Sequence, residues 1–224
     1  MEQRVKLTKR QIKEDKFMTF MLAARGWFQD NWQYVGIGGL VVVLLVVAGV
    51  FYVSSLGAAK EQAALDFSSA WSEYAKGNQQ VATAKFSEVI SAHSGSTEAE
   101  QATFLLAAMN LRNRNYAEAT RYFELYIRDF KNNPLNLAAA HAGLGAIHED
   151  QIQFAEGAEA YTAAIEAYPE GPLVGDYQFA KLRCLIGLAD RAGAAEVVAQ
   201  IEERFEGTEL VARSQRLFGE SFTN

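Results

Sequence analysis

His141 and His148 stand seven residues apart, with Glu149 and Asp150 directly after the second. Imidazoles and carboxylates in such a cluster are the donor types that hold zinc. Zinc needs three or four converging ligands, and the remaining histidine, His93, falls on a different element. The single cysteine, Cys184, sits in the middle of a helical pattern with no histidine nearby in sequence. A buried apolar role fits it better than that of a nucleophile. Acidic pairs such as Glu202-Glu203 read as solvated faces. No phosphate-binding loop, dinucleotide fingerprint or serine-nucleophile elbow occurs in the chain. The residues therefore point to no enzyme, no cofactor and no metal site.

The elements that hold these residues follow from the distribution of apolar side chains. Residues 35–53 read VGIGGLVVVLLVVAGVFYV, and no charge occurs between Asp30 and Lys60. Nineteen residues of helix span ~28 Å, about one hydrocarbon thickness. A core helix of a soluble protein would keep a polar face, and this stretch has none. Trp32 and Tyr34 flank its start, and Phe51 and Tyr52 its end, as in interfacial aromatic belts. The sequence predicts a single membrane span over residues 34–56. Gly36, Gly38, Gly39 and Gly49 lack the four-residue spacing of a helix-dimer seam.

Charge sets the topology. Residues 1–34 carry seven basic and four acidic side chains, and the rest of the chain carries fourteen and twenty-three. The positive-inside rule places the N-terminus in the cytoplasm and residues 57–224 outside it, on the extracytoplasmic side. A cleaved signal peptide with Gly57-Ala58-Ala59 as its cleavage site is the competing reading. The apolar run is too long for that, and more than thirty residues precede it. Lipoprotein processing would need a cysteine just after the run, where there is none. One cysteine also excludes an internal disulfide, so the domain is held by its core.

Residues 1–33 have their own pattern. Thr8 to Gln11 has capping-box spacing. Phe17, Phe20, Met21, Ala24 and Phe28 then recur at three and four residues, beside Trp27. With Lys9, Arg10, Lys13 and Lys16 upstream, this predicts a helix lying in the cytoplasmic interface of the bilayer. A net charge of +3 is too weak, and the aromatics too lipid-like, for nucleic-acid binding.

The remaining sequence has long amphipathic patterns and lacks period-two alternation, which predicts an all-α domain. It also repeats itself. NYAEATRYFELYIRDFKNNP (residues 115–134) aligns with QFAEGAEAYTAAIEAYPEGP (residues 153–172) at an offset of 38. Both place an aromatic (Tyr116, Phe154), a small residue (Ala119, Gly157), a second aromatic (Phe123, Tyr161), then Tyr126 or Ala164. Ala82, Phe86 and Val89 fit at an offset of 37, and Ala195 and Ala199 fit weakly at 38. Leu106-Ala107, Leu144-Gly145 and Leu182 mark a preceding helix in successive units. Thr97 to Glu100 reads as a capping box, Pro134 and Pro169 as breaks between units, and residues 208–222 as a final capping helix.

This pattern resembles the tetratricopeptide repeat, whose unit is a pair of helices. Leu144, Gly145, Phe154, Tyr161, Ala164 and Pro169 are all in frame, while Gly157 stands where alanine is expected. The resemblance implies an α-solenoid of about four helix pairs plus a C-terminal capping helix, behind one transmembrane helix. In that frame His141 and His148 occupy positions that normally pack large aromatics, which favours packing over metal binding. The whole layout is similar to the ancillary subunit family of the SecYEG translocon. It implies a membrane-anchored, non-enzymatic scaffold whose partners are proteins: translocon, chaperone or membrane-complex subunits. The alternatives are a structural subunit of a larger membrane complex and an envelope-maintenance adaptor. The repeat frame places Phe67, Trp71, Tyr74, Phe104, Ala108, Leu111, Arg112, Ala142, Ala146, Glu149 and Tyr177 on the concave groove. The lysine/asparagine carboxylate clamp of some such domains is absent, since its positions here include Ser68, Leu105 and Gly143.

Overall fold

The computed structural model describes residues 9–222, with side chains from Phe17 onward. Thr8, and with it the first capping box, lies outside the described residues. Among those described there are ten helices and no strand. They fall into two compact units that meet at Ala58 and Ala59.

The first unit holds α1 (Lys9–Asp30) and the beginning of α2 (Trp32–Ala75). Helical register is interrupted at Asn31, whose side-chain amide donates to the Trp27 carbonyl at 2.9 Å. α2 is the one described helix long and apolar enough to cross a bilayer. Its large apolar side chains from Ile37 to Val53 are 49–75% exposed, so no protein core explains them.

The second unit is a stack of helix pairs. The end of α2 leads into α3 (Gln79–Ala92), and α4 (Thr97–Arg112) into α5 (Tyr116–Asp129). α6 (Pro134–Asp150) leads into α7 (Phe154–Ala167), and α8 (Val174–Gly187) into α9 (Arg191–Arg204). α10 (Glu209–Phe222) packs on α8 and α9 and closes the stack through Leu210, Val211, Leu217 and Phe218. The chain thus forms four pairs and a cap. The second helices of the pairs begin at 79, 116, 154 and 191, spaced 37, 38 and 37 residues apart.

The same three positions of each second helix enter the core. They are Ala82, Phe86 and Val89; Ala119, Phe123 and Tyr126; Gly157, Tyr161 and Ala164; and Ala194, Val198 and Ile201. The last triplet corrects the sequence alignment of the fourth unit. Ala195 and Ala199 are exposed, because the true offset there is 37. On a helix a one-residue error rotates every assignment by about 100°. Small residues on the first helices receive the large ones. A Cβ on Gly143 would lie 2.3 Å from Phe123 Cζ, and one on Gly145 3.0 Å from the Tyr161 ring.

Each pair turns through one device. The chain leaves the first helix in left-handed conformation at Gly77, Arg114, Ile152 and Ala189. At each turn two N–H groups cap the helix, as Ile152 to the Glu149 carbonyl and Gln153 to the His148 carbonyl. This is the Schellman arrangement, and it satisfies the last carbonyls within a three-residue link. The next residue, Asn78, Asn115, Gln153 or Asp190, then starts the second helix. Pro134 occupies the first turn of α6, as a residue without an N–H can. At α4 the cap is Ser96, not Thr97: Ser96 Oγ accepts from the Ala99 N–H at 3.0 Å.

Candidate functional site

The positions where chemistry was conceivable are occupied by packing and internal hydrogen bonds. His93 Nε2 lies 2.8 Å from Asp66 Oδ2, and this hydrogen bond holds the Asp66 carboxyl below the usual range. His148 Nδ1 lies 2.8 Å from Gln153 Oε1, at the turn that ends α6. His141 is half-buried, and burial lowers its pKa. Among the described residues no three histidine, cysteine or acidic side chains converge. Cys184 is fully buried, and burial, then the nearby Glu149 carboxylate, push its thiol up to about 12. A thiol so shifted has almost no thiolate at neutral pH.

The best-formed cleft, about 480 Å³, lies in the first half of the repeat stack. Phe67, Ser68 and Trp71 of α2 form one wall. Gln101, Phe104 and Leu105 of α4 form the other, and Asn136 of α6 closes one end. Phe67 and Trp71 are one helical turn apart and stack with centroids 6.5 Å apart. Tyr74 continues the row, 5.5 Å from Trp71. Phe104 is fixed edge-on by Phe123 at 6.2 Å and Tyr126 at 5.5 Å. The Tyr126 hydroxyl donates to Glu100, which holds the ring behind Phe104 in place. Trp71 stays 46% exposed.

No charged side chain lines this cleft. Its polar groups are a hydroxyl and two amides, spaced among aromatic and aliphatic surface. Such a lining suits an uncharged apolar segment that can exchange a few neutral hydrogen bonds. A charged group entering it would be desolvated without compensation.

Three of the eleven groove candidates, Phe67, Trp71 and Phe104, line this cleft. Tyr74 lies beside it, and its hydroxyl accepts from Arg112 at 3.2 Å, tying the end of α2 to the end of α4. Leu111 packs against the core of the first pairs. Ala108, Ala142 and Ala146 are half-buried and too short to extend the wall. Glu149 is already engaged: it accepts from Arg183 at 2.6 and 2.8 Å and from the Tyr161 hydroxyl at 3.0 Å. That brace joins α6, α7 and α8 and leaves Glu149 little capacity for a partner.

Tyr177 requires correction. It is buried, and it packs with Ala138 and Ala164 against α6 and α7. Its repeat register is that of Ala102 and Ala140, both fully buried, so its position belongs to the core. Ser68 and Leu105, two positions of the absent clamp, also line the cleft, together with Gln101 and Asn136, which the repeat frame did not single out. Gln101 and Leu105 were readable, since they flank Phe104 on one helix face. Asn136 reaches the cleft only because α6 stacks beside α4.

Comparison with known proteins adds one positive finding. No curated protein matches the sequence. Residues 25–167 match the family described as a tetratricopeptide repeat-like domain. The match takes in all of α2 through α7 and nearly two thirds of the chain; α8 to α10 lie beyond it but keep the same register. With its repeated helix pairs, its in-frame core and this match, the chain belongs to the tetratricopeptide repeat-like domain family.

Proposed function

We propose that the chain is a membrane-tethered, non-enzymatic scaffold that binds proteins on the extracytoplasmic face. Residues 1–33 are cytoplasmic, residues 34–56 span the membrane, and residues 57–224 form the interaction domain. The observation that carries the reading is the uncharged aromatic cleft of Phe67, Trp71 and Phe104 in a domain of an interaction family. An exposed tryptophan beside partly buried phenylalanines, set in a rigid frame, is a usual anchor of protein interfaces. Tethering raises the effective concentration beside membrane partners, so modest affinity suffices. In its finest form, the scaffold serves secreted chains or a chaperone beside the Sec translocon, as the layout of the chain supports.

The test is the double substitution Trp71→Ser and Phe104→Ser in the full-length protein. Crosslinking to envelope partners should fall tenfold or more, equivalent to at least ~1.4 kcal/mol, with helicity unchanged. If the variant folds and keeps every partner, the cleft is not the binding site. Copurification in mild detergent then separates the finer readings. Translocon subunits and chaperones would support the Sec assignment. A single stoichiometric membrane complex would replace it.

A further inference from the structure

Helix α1 (Lys9–Asp30) carries large apolar side chains that no part of the described protein covers. Phe17, Met18, Phe20, Met21, Leu22, Trp27 and Phe28 are 51–68% exposed. At 100° per residue they occupy an arc of roughly 220°, more than half of the helix circumference. Such a surface in water would aggregate or seek a partner. Three observations identify the partner. First, the apolar surface continues across Asn31 into the exposed apolar helix α2, with only Arg25 and Asp30 as charges between Phe17 and Val53. Second, those 37 residues would make ~55 Å of straight helix, against ~30 Å of hydrocarbon. α1 therefore cannot share the crossing with α2. Third, the sequence ahead of Phe17 carries six basic and three acidic residues, a charge suited to anionic headgroups.

We infer that α1 is a second membrane contact, an interfacial helix embedded in the anionic cytoplasmic leaflet, with Asn31 as the elbow between it and the span. This rests on the membrane-anchored reading above. The interruption of register at Asn31 allows the change of direction, and its side-chain amide adds a second hydrogen bond to the Trp27 carbonyl, which already accepts the Asn31 N–H. Trp27, Trp32 and Tyr34 then cluster about the elbow at headgroup level. Arg25, within the apolar arc, extends its guanidinium to the phosphates while its stem stays in the apolar layer. The helix fixes the depth and orientation of the anchor, as a bare span would not.

The full-length protein tests this in nanodiscs of phosphatidylcholine and phosphatidylglycerol. The chain has three tryptophans, Trp27, Trp32 and Trp71. Trp32→Phe with Trp71→Phe leaves Trp27 as the reporter, and Trp27→Phe with Trp71→Phe leaves Trp32. Lipids brominated near the headgroup should quench Trp27 severalfold more than lipids brominated near the chain end. Aqueous iodide should quench it severalfold less than in urea. Trp27 untouched by bromine and open to iodide would overturn the inference, because α1 would stand in water. Trp27 hidden from both would overturn it as well, because a protein surface would then cover α1. The Trp32 reporter separates the two levels of argument. Bromine quenching of Trp32 without quenching of Trp27 defeats only the interfacial helix. No quenching of Trp32 defeats the anchored reading, and the inference with it.

Discussion

Tyr161 shows how much one side chain does in this stack. Its ring is 4% exposed and lies against the bare Cα of Gly145, while its hydroxyl reaches Glu149. Tyr161→Ala should destabilise the domain by about 3–5 kcal/mol in urea unfolding. A change within about 0.5 kcal/mol would mean that the ring is not between the helices. The opposite error is adding volume. Gly143→Ala would drive a methyl into the Phe123 ring and should cost about 1–3 kcal/mol. His141 gives a pH signature. Its folded pKa lies below its ordinary value of 6.5, so below that pH the unfolded state binds more protons. Stability is complete above pH 6.5 and is lost as pH falls through the folded pKa. His141→Gln should flatten that part of the stability–pH curve measured by urea unfolding. Cys184 makes the complementary point. It is placed beside Gly157 for its size, and burial suppresses its acidity.

At the scale of elements, the four hairpin turns are one structure written with four different residues. Gly77 suits the left-handed conformation, with no Cβ to clash. Arg114, Ile152 and Ala189 adopt it at φ 57°, 63° and 56°. Ile152 is β-branched and 75% exposed, so it suffers the strain without the reward of burial. Ile152→Gly should therefore raise stability by about 1 kcal/mol, and Gly77→Ile should lower it by about as much. Shifts in the urea midpoint at constant m value would establish both. Sequence punctuation missed these turns because only the first contains a glycine. The periodic core was readable, because apolar side chains must recur on one face to be buried. The exact register of α9 was not, since alanines lie on both sides of the true frame and carry little contrast.

For the whole molecule, the central expectation is sidedness. The excess of basic residues before the apolar run and of acidic residues after it predicts opposite compartments for the two ends. Ser94 is exposed at the turn after α3. In Ser94→Cys the new thiol should react with an impermeant maleimide in intact spheroplasts. In Lys6→Cys it should react only after permeabilisation. Buried Cys184 should stay silent in both. The reverse pattern would invert the topology and remove the cleft from the envelope. The repeat stack should also stand by itself: residues 59–224 cluster as one compact unit. As repeats bury their core against neighbours, this fragment should be soluble and largely helical by circular dichroism.

Composition and period alone determined the apolar helix, the helical class and the pairwise repeat. Each depends on local side-chain chemistry or on spacing along one helix, and neither needs a neighbour. Tertiary structure decided which repeated positions remain open. The register that carries Trp71 in the first pair carries Ala108, Ala146 and Arg183 in the later ones. Trp71 walls a cleft, while Arg183 turns to Glu149 and locks the later pairs together. Leu65 shares its register with Ala102, Ala140 and Tyr177, yet it is 59% exposed where they are buried. No earlier pair of the stack stands over it. Position in the repeat sets the direction of a side chain, but only the packed neighbours determine whether that direction leads to core, ion pair or partner.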